Sequence, residues 1–133
     1  MGHVYAETVF YNPVEYVEYV QGKRRLDDVK SFKCRALVDT GSTFPALPED
    51  VVVKLNLPFV GEYEAEAAEG VGKLRLAYAV AQIEDRVAVS GLIIRPSGTT
   101  PLIGVVVLEQ MGYRIDPGTG KLIKGLPMML IAN

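Results

Sequence analysis

Apolar and polar positions in the first third of the chain predict β-strands. Val4 to Phe10 and Val14 to Val20 are rich in valine and tyrosine and are predicted as two β segments, and Asn12-Pro13 between them is a turn signal. Val29 to Val38 alternates and runs directly into Asp39-Thr40-Gly41. We therefore predict three strands in this region, the third of which ends at an aspartate.

The middle of the chain predicts one short helix followed by a hairpin. Pro48 to Leu55 is the predicted helix, because proline suits the first helical turn and the two acidic residues after it favour the positive end of the helix dipole. Glu62 to Ala68 and Lys73 to Ile83 alternate again. The segment Glu69-Gly70-Val71-Gly72 between them predicts a glycine-rich hairpin tip.

The next segment predicts a strand and a second short helix. Val87 to Arg95 is a further predicted strand. Pro101-Leu102-Ile103-Gly104 then precedes a predicted helix from Val105 to Met111, and Gly112 stands at a typical C-terminal cap position. Strands outnumber helices in this prediction, which agrees with a composition rich in turn residues, 13 glycines and 8 prolines.

The end of the chain predicts a turn and a short strand, and we find no linker or internal repeat. Asp116 to Gly120 is the turn, and Lys121 to Ile123 is the strand. Leu126 to Ala132 is apolar and is expected to be exposed unless it pairs. With 133 residues in total, we predict a single domain that spans residues 1–133 and is mostly β.

Charge and cysteine content narrow the class of partner and the compartment. The net charge is −2, and Lys23-Arg24-Arg25 is the one basic cluster, so we expect no nucleic-acid partner and assign this cluster to a solvated loop. No stretch reaches the about 20 apolar residues of a membrane span. No charged and then apolar segment follows Met1-Gly2-His3, so we expect no signal peptide. Together with a single cysteine, these features predict a cytoplasmic protein without disulfides.

Two residue types that often carry chemistry are present only once. His3 has no second histidine or cysteine cluster to complete a metal site, so we expect no metal and no cofactor. Cys34 lies on the apolar face of a predicted strand, where it behaves as a small buried hydrophobic residue. A cysteine nucleophile would need a histidine partner, and the one histidine stands close to the N-terminus.

Asp39-Thr40-Gly41-Ser42 is the segment that carries candidate chemistry. Hydrolysis by carboxylates alone needs two of them close together and sharing one proton, so that one acts as base and the other as acid. The aspartate supplies such a group, the threonine hydroxyl can hold the loop rigid, and the glycine lets backbone approach closely. The triplet alone is a weak signal, but here an apolar strand, Ala36-Leu37-Val38, leads into it.

The order of three features resembles the retropepsin-like aspartic proteases of the prokaryotic or archaeal type. They are Asp39-Thr40-Gly41 after an apolar strand, a glycine-containing hairpin, and Leu102-Ile103-Gly104 before a short helix that ends at Gly112. The resemblance covers roughly residues 29–116, whereas both ends match the family loosely. It implies a closed six-to-eight-strand barrel-like sandwich with one or two short helices that works as a homodimer. A single Asp-Thr-Gly in the chain excludes the two-lobed pepsin-like arrangement.

The resemblance also implies a role for each matching residue. Asp39 would be the catalytic residue, Thr40 would make hydrogen bonds across the dimer beneath the two aspartates, and Gly41 would line the substrate backbone. Ser42 conforms to the family pattern, whereas Thr43 stands where viral members often have an acidic residue. The remaining residues divide between the substrate-covering hairpin, called the flap, and the core behind the active-site loop: Gly70, Val71 and Gly72 in the flap, and Leu102, Ile103 and Gly104 in the core.

These expectations define an endopeptidase that acts on peptides or proteins, and simpler interpretations stand beside it. Asp39 can be a turn aspartate that only binds its own backbone, and Gly70 and Gly72 can form an ordinary hairpin turn. A dimer of the same fold can also bind peptides or support assembly without cleaving them. A third alternative is a self-processing domain cut from a larger precursor.

Overall fold

The computed structural model describes residues 3–127. The described chain is mostly β, with one large mixed sheet and few helices, as the sequence pattern predicts. A single 3₁₀ turn at Leu26–Asp28 accompanies the regular elements. In chain order these are β1 (Val4–Tyr11), α1 (Pro13–Val20), β2 (Ser31–Val38), β3 (Ala46–Pro48), α2 (Glu49–Lys54), β4 (Phe59–Ala67), β5 (Gly70–Ile83), β6 (Arg86–Arg95), β7 (Leu102–Ile103), α3 (Val105–Met111), β8 (Tyr113–Ile115) and β9 (Leu122–Lys124).

Seven strands form the main sheet in the order β1-β2-β7-β3-β6-β5-β4. The first strand also pairs with β5, with Val9 opposite Gln82 and Tyr11 opposite Val80. The short strand β7 is parallel to β2 and antiparallel to β3, so it lies between them. A separate antiparallel pair, β8 and β9, follows α3. The sheet therefore brings the end of β2 and the segment before α3 side by side.

One main hydrophobic core holds these elements together. Alternate residues of the strands point into it, and α2 and α3 cover it with Val51, Leu55, Val107 and Met111. Ala36, Leu47, Ala77, Leu92 and Ile103 are its least exposed strand residues, each 0% exposed. A second, smaller cluster of Tyr11, Val29 and Val80 lies under Tyr16.

The segment Val14 to Val20, predicted as a strand, is the helix α1, and the prediction was wrong. The Asn12 side chain caps this helix by accepting a hydrogen bond from the Glu15 amide at 3.0 Å, and Pro13 occupies the first helical turn. The sequence Glu-Tyr-Val-Glu-Tyr-Val has a period of three that fits a helix as well as a strand. The cap at Asn12 favours the helix, which packs Tyr16 against Tyr11.

The other predicted elements are confirmed with small shifts at their ends. The helix predicted over Pro48 to Leu55 is α2, and α3 has the predicted bounds, ending at Gly112 with φ 79°. The strand predicted from Val29 begins at Ser31. None of the helices in the described part of the chain has the length and hydropathy needed to cross a membrane.

The predicted apolar end lies mostly outside the described residues. Leu126 is described and is 91% exposed, whereas residues 128–132 are not part of the description. Before it, Arg86 donates hydrogen bonds to the carbonyl oxygens of Met111 and Gly125. Gly125 also binds Gly112 at 2.8 Å, which fixes the chain up to this point against the end of α3.

Candidate active site

Strand β2 delivers Asp39 to the surface from the hydrophobic core. Ala36 and Val38 are buried, with 0% and 7% exposure, and Asp39 directly after them is half-buried. The Asp39 amide donates to the Ile103 carbonyl oxygen at 2.9 Å. Because β7 lies beside the end of β2, the backbone of this aspartate is fixed to the core although its carboxylate is open to solvent.

The loop after β2 closes on the Asp39 carboxylate. The Oδ1 atom of Asp39 accepts a hydrogen bond from the Gly41 amide at 2.9 Å. The backbone carbonyl oxygen of Asp39 accepts one from the Ser42 amide at 3.1 Å. A Cβ atom on Gly41 would lie 3.2 Å from Oδ1, closer than ordinary contact, so glycine fits this position best. The carboxylate is thus held in one orientation by its own loop, and its second oxygen Oδ2 is left for other interactions.

The start of α3 supports the same loop from behind. The amides of Val105 and Val106 donate to the carbonyl oxygens of Ser42 and Thr43 at 2.8 and 3.0 Å. Gly104 comes directly before these two donors, and a Cβ atom there would lie 2.7 Å from backbone atoms of Thr43 and Phe44. No residue with a side chain fits there unless the loop moves. Leu102 and Ile103, buried at 9% and 0% exposure, complete this support.

The other residues predicted for this loop are exposed or bind within it. Thr40 is exposed, and within residues 3–127 its hydroxyl forms no hydrogen bond. Ser42 donates its hydroxyl to the Phe44 carbonyl oxygen at 2.8 Å. The Phe44 ring is 43% exposed, which is high for phenylalanine and which the sequence pattern did not predict.

The predicted flap is a hairpin of β4 and β5, but its turn has two residues instead of the predicted four and starts one residue earlier. Ala67 pairs with Gly70, so Ala68 and Glu69 form the turn, and Gly70 to Gly72 begin β5. Gly70 has φ 125°, a conformation that favours glycine, and Val71 is 69% exposed. Because β4 is the outermost strand of the sheet, this hairpin has pairing partners only on one side.

Ion pairs connect this hairpin to the helix that follows the active-site loop. Arg75 lies 3.2 Å from Glu49, the first residue of α2, and 3.9 Å from Glu62 on the neighbouring strand. Lys73 pairs with the same Glu62 at 3.1 Å. Sequence reasoning missed these contacts, because Glu49 and Arg75 are distant in sequence and no local pattern joins them.

Three other aspartates have hydrogen-bond or ion-pair partners. Lys124 beside Asp85 holds the pKa of that carboxyl below its usual range. The Gly118 amide, 2.9 Å from Asp116, does the same for the pKa of Asp116. Asp27 pairs with Arg25 at 3.4 Å. Asp39 differs from these three aspartates because its loop of small residues lies directly on the hydrophobic core.

His3 precedes Val4, which pairs with Val38 just before the loop, whereas Cys34 lies in the middle of β2, opposite Thr8. His3 precedes β1 and is exposed, with its ring 6.5 Å from that of Tyr5. Burial raises the pKa of the Cys34 thiol to about 11, and the nearby Glu7 adds to this shift, so the reactive thiolate is scarce near neutrality. Among residues 3–127, no group of three or more histidine, cysteine, aspartate or glutamate side chains is placed to hold a metal ion.

Comparison with known proteins gives no assignment. No model of a protein family matches the sequence, and a search of curated proteins finds no significant match. The geometry around Asp39 and the arrangement of the strands are therefore the observations on which a function must rest.

Proposed function

We propose that this protein is a retropepsin-like aspartic endopeptidase whose active site is completed by a second copy of the chain. The observation that carries the proposal is the Asp39 loop. A turn of Asp-Thr-Gly leaves a buried strand, is bound to Ile103, and is closed from behind by Gly104 and the start of α3. Such support holds a carboxylate rigidly at a surface, as acid–base catalysis between two chains requires.

The strand order supports the barrel that the resemblance implies. Strands β1, β2, β7, β3, β6 and β5 pair in succession, and β5 pairs back to β1. This cyclic order is what a closed barrel requires. The hairpin of β4 and β5 continues beyond it as the proposed flap, and an extended substrate would lie beneath it and pair through its backbone.

In the proposed dimer, the two Asp39 carboxylates share one proton, because two charges a few Å apart cannot both persist. A water molecule bound between them loses a proton to the charged carboxylate and attacks the peptide carbonyl carbon. The protonated carboxylate gives its proton to the carbonyl oxygen. The tetrahedral intermediate then collapses as the C–N bond breaks. The carboxylate that took the proton of the water gives it to the leaving nitrogen, and a hydroxyl of the intermediate returns its proton to the other carboxylate. No metal or cofactor takes part in this proposed mechanism.

The test is cleavage of a mixed peptide library by the wild-type protein and by Asp39→Asn. The variant should lose activity by at least about a thousandfold, because an amide cannot exchange the proton, and should keep the same thermal unfolding midpoint. Asp28→Asn, which removes an exposed carboxylate of the 3₁₀ turn, is the matched control and should cleave normally. Activity scanned from about pH 3 to 8 should be bell-shaped, since only the form with one shared proton reacts.

Two results would overturn this assignment. One is an Asp39→Asn protein that cleaves as well as the wild type. The other is a wild-type protein that is dimeric in solution and cleaves no peptide at any pH. The second result would favour the alternative function, a dimeric peptide-binding or assembly domain without catalysis.

A further inference from the structure

The flap hairpin leaves the sheet at one definable position. Pairing of β5 with β6 begins at Leu76, opposite Ile93, and continues to Ile83, while Leu76 and Ala77 pair with β4 as well. Residues 70–75 pair with β4 alone. Arg75 is therefore the last residue before the hairpin separates from its second neighbour, which is the place where a hinge between the flap and the sheet must lie.

The side chain of Arg75 connects three segments at this hinge. Its Nη1 atom lies 3.2 Å from the Glu49 carboxylate, and its Nε atom lies 3.9 Å from that of Glu62. The guanidinium carbon of Arg75 is also 5.9 Å from the centre of the Phe59 ring, at the start of β4. Glu49 begins α2 and follows β3 directly, so it belongs to the segment that leaves the active-site loop.

We propose that Arg75 is a positioning residue that sets the orientation of the flap relative to the active-site loop by bridging the hinge to Glu49. The inference rests on the proposed protease function, because it assigns the bridge to substrate binding beneath the flap. Arg75 itself does not touch the reacting atoms. It acts through the hairpin, whose residues 62–75 cover the substrate.

The strength of the bridge suits this role. The side chains of Arg75, Glu49 and Glu62 are 37%, 48% and 38% exposed. An ion pair as exposed as these shifts an equilibrium by up to about fivefold. That is enough to favour one orientation of the hairpin, and little enough for the flap to open in each turnover.

Lys73 provides a matched control on the same strand. It pairs with Glu62 at 3.1 Å, but both partners belong to the hairpin, so this contact does not cross the hinge. Lys73 and Arg75 therefore share a strand, a charge and a partner, and they differ in the contacts of Arg75 with Glu49 and with the Phe59 ring. Lys73→Gln controls for the loss of a charge on this strand, and Glu49→Gln separates the ion pair from the contact with Phe59.

The kinetic test compares KM and kcat on one good peptide substrate. Arg75→Gln and Glu49→Gln should each raise KM about two- to fivefold while kcat stays within about twofold, because the flap binds substrate less well but the Asp39 loop is unchanged. The double variant should be no worse than either single one, since both remove the same contact. Arg75→Lys should restore part of the loss, and Lys73→Gln should behave as wild type.

A second measurement follows the hairpin directly. Amide hydrogen exchange of residues 62–75 should be about two- to fivefold faster in Arg75→Gln and in Glu49→Gln than in the wild type, and unchanged in Lys73→Gln. The proposal is wrong if Arg75→Gln has wild-type KM, if Lys73→Gln has the same effect, or if the two single variants are additive. If the dimeric wild type cleaves nothing, the proposed function fails and the flap role of Arg75 fails with it, whereas altered exchange would still show that Arg75 restrains the hairpin.

Discussion

At the scale of single residues, small side chains are what permit the geometry around Asp39. A Cβ atom added to Gly41 would lie 3.2 Å from Oδ1 of Asp39. A Cβ atom added to Gly104 would lie 2.7 Å from backbone atoms of Thr43 and Phe44. The sequence pattern pointed to both glycines, but only as members of a motif. The structure gives the physical reason, which is that two backbone segments cross in contact at Gly104.

Gly104→Ala should destabilise the protein and disturb the Asp39 loop together. The added methyl group would force Thr43 and Phe44 to move, at a cost of about 1–3 kcal/mol in the free energy of unfolding. If the protein is the proposed protease, kcat/KM should fall by about tenfold or more, because the carboxylate shifts from its reactive position. Thermal or urea unfolding and peptide cleavage measure the two effects.

The control for this substitution is Gly72→Ala in the flap hairpin. Nothing lies within 4 Å of a Cβ atom at Gly72, and its φ is not positive, so the free energy of unfolding should change by less than about 0.5 kcal/mol. Equal stability of Gly104→Ala and the wild type would contradict the close contact seen here.

At the scale of elements, α1 shows how a cap decides between two secondary structures. Asn12 caps the helix with its side-chain oxygen and donates its amide to the carbonyl oxygens of Leu55 and Asn56, both at 3.0 Å. These bonds hold the start of α1 against the end of α2. The sequence identified Asn12-Pro13 as a turn, whereas the long-range bonds to residues 55 and 56 become visible only in the fold.

Asn12→Ala should lower the free energy of unfolding by about 2–3 kcal/mol. The substitution removes the helix cap and leaves the buried Leu55 carbonyl oxygen without its partner. Urea unfolding followed by circular dichroism measures the loss. Gln21→Ala at the other end of α1 is the control, because that side chain is exposed, and its effect should stay below about 0.5 kcal/mol. An Asn12→Ala protein as stable as the control would show that the cap contributes little.

At the scale of the whole molecule, one chain presents half of the proposed site. By resemblance to the terminal sheet of retropepsins, we expect the strand Val4 to Phe10 and the apolar end Leu126 to Ala132 at the dimer interface. In the fold, this strand pairs with β2 along its full length. Its other edge pairs with β5 only from Val9 to Tyr11, which leaves the edge of Val4 to Thr8 open among the described residues. In the proposed dimer, this open edge is where a second chain would add a strand.

Specific activity should therefore fall as the protein is diluted. Below the dissociation constant of the dimer, the fraction of complete sites decreases with concentration, so activity per milligram should drop as well. Sedimentation at the same concentrations should show the dimer dissociating in parallel. Truncation after Pro127 should weaken the dimer at least about tenfold and shift both curves to higher concentration. Activity per milligram that is constant down to a fully monomeric sample would refute the shared site.

The sequence by itself determined most of the elements and the chemical character of the candidate site. Period-two alternation fixes which strand faces enter the core, and the glycine after Met111 ends α3 where expected, because these effects act over a few neighbouring residues. Asp39-Thr40-Gly41 was likewise visible as a local motif. Tertiary structure alone decided that Asn12 binds the end of α2, that the backbone at Gly104 crosses Thr43 and Phe44 in contact, and that Arg75 reaches Glu49. Each of these depends on residues distant in the chain, whose contacts form only when the sheet sets the order of its strands.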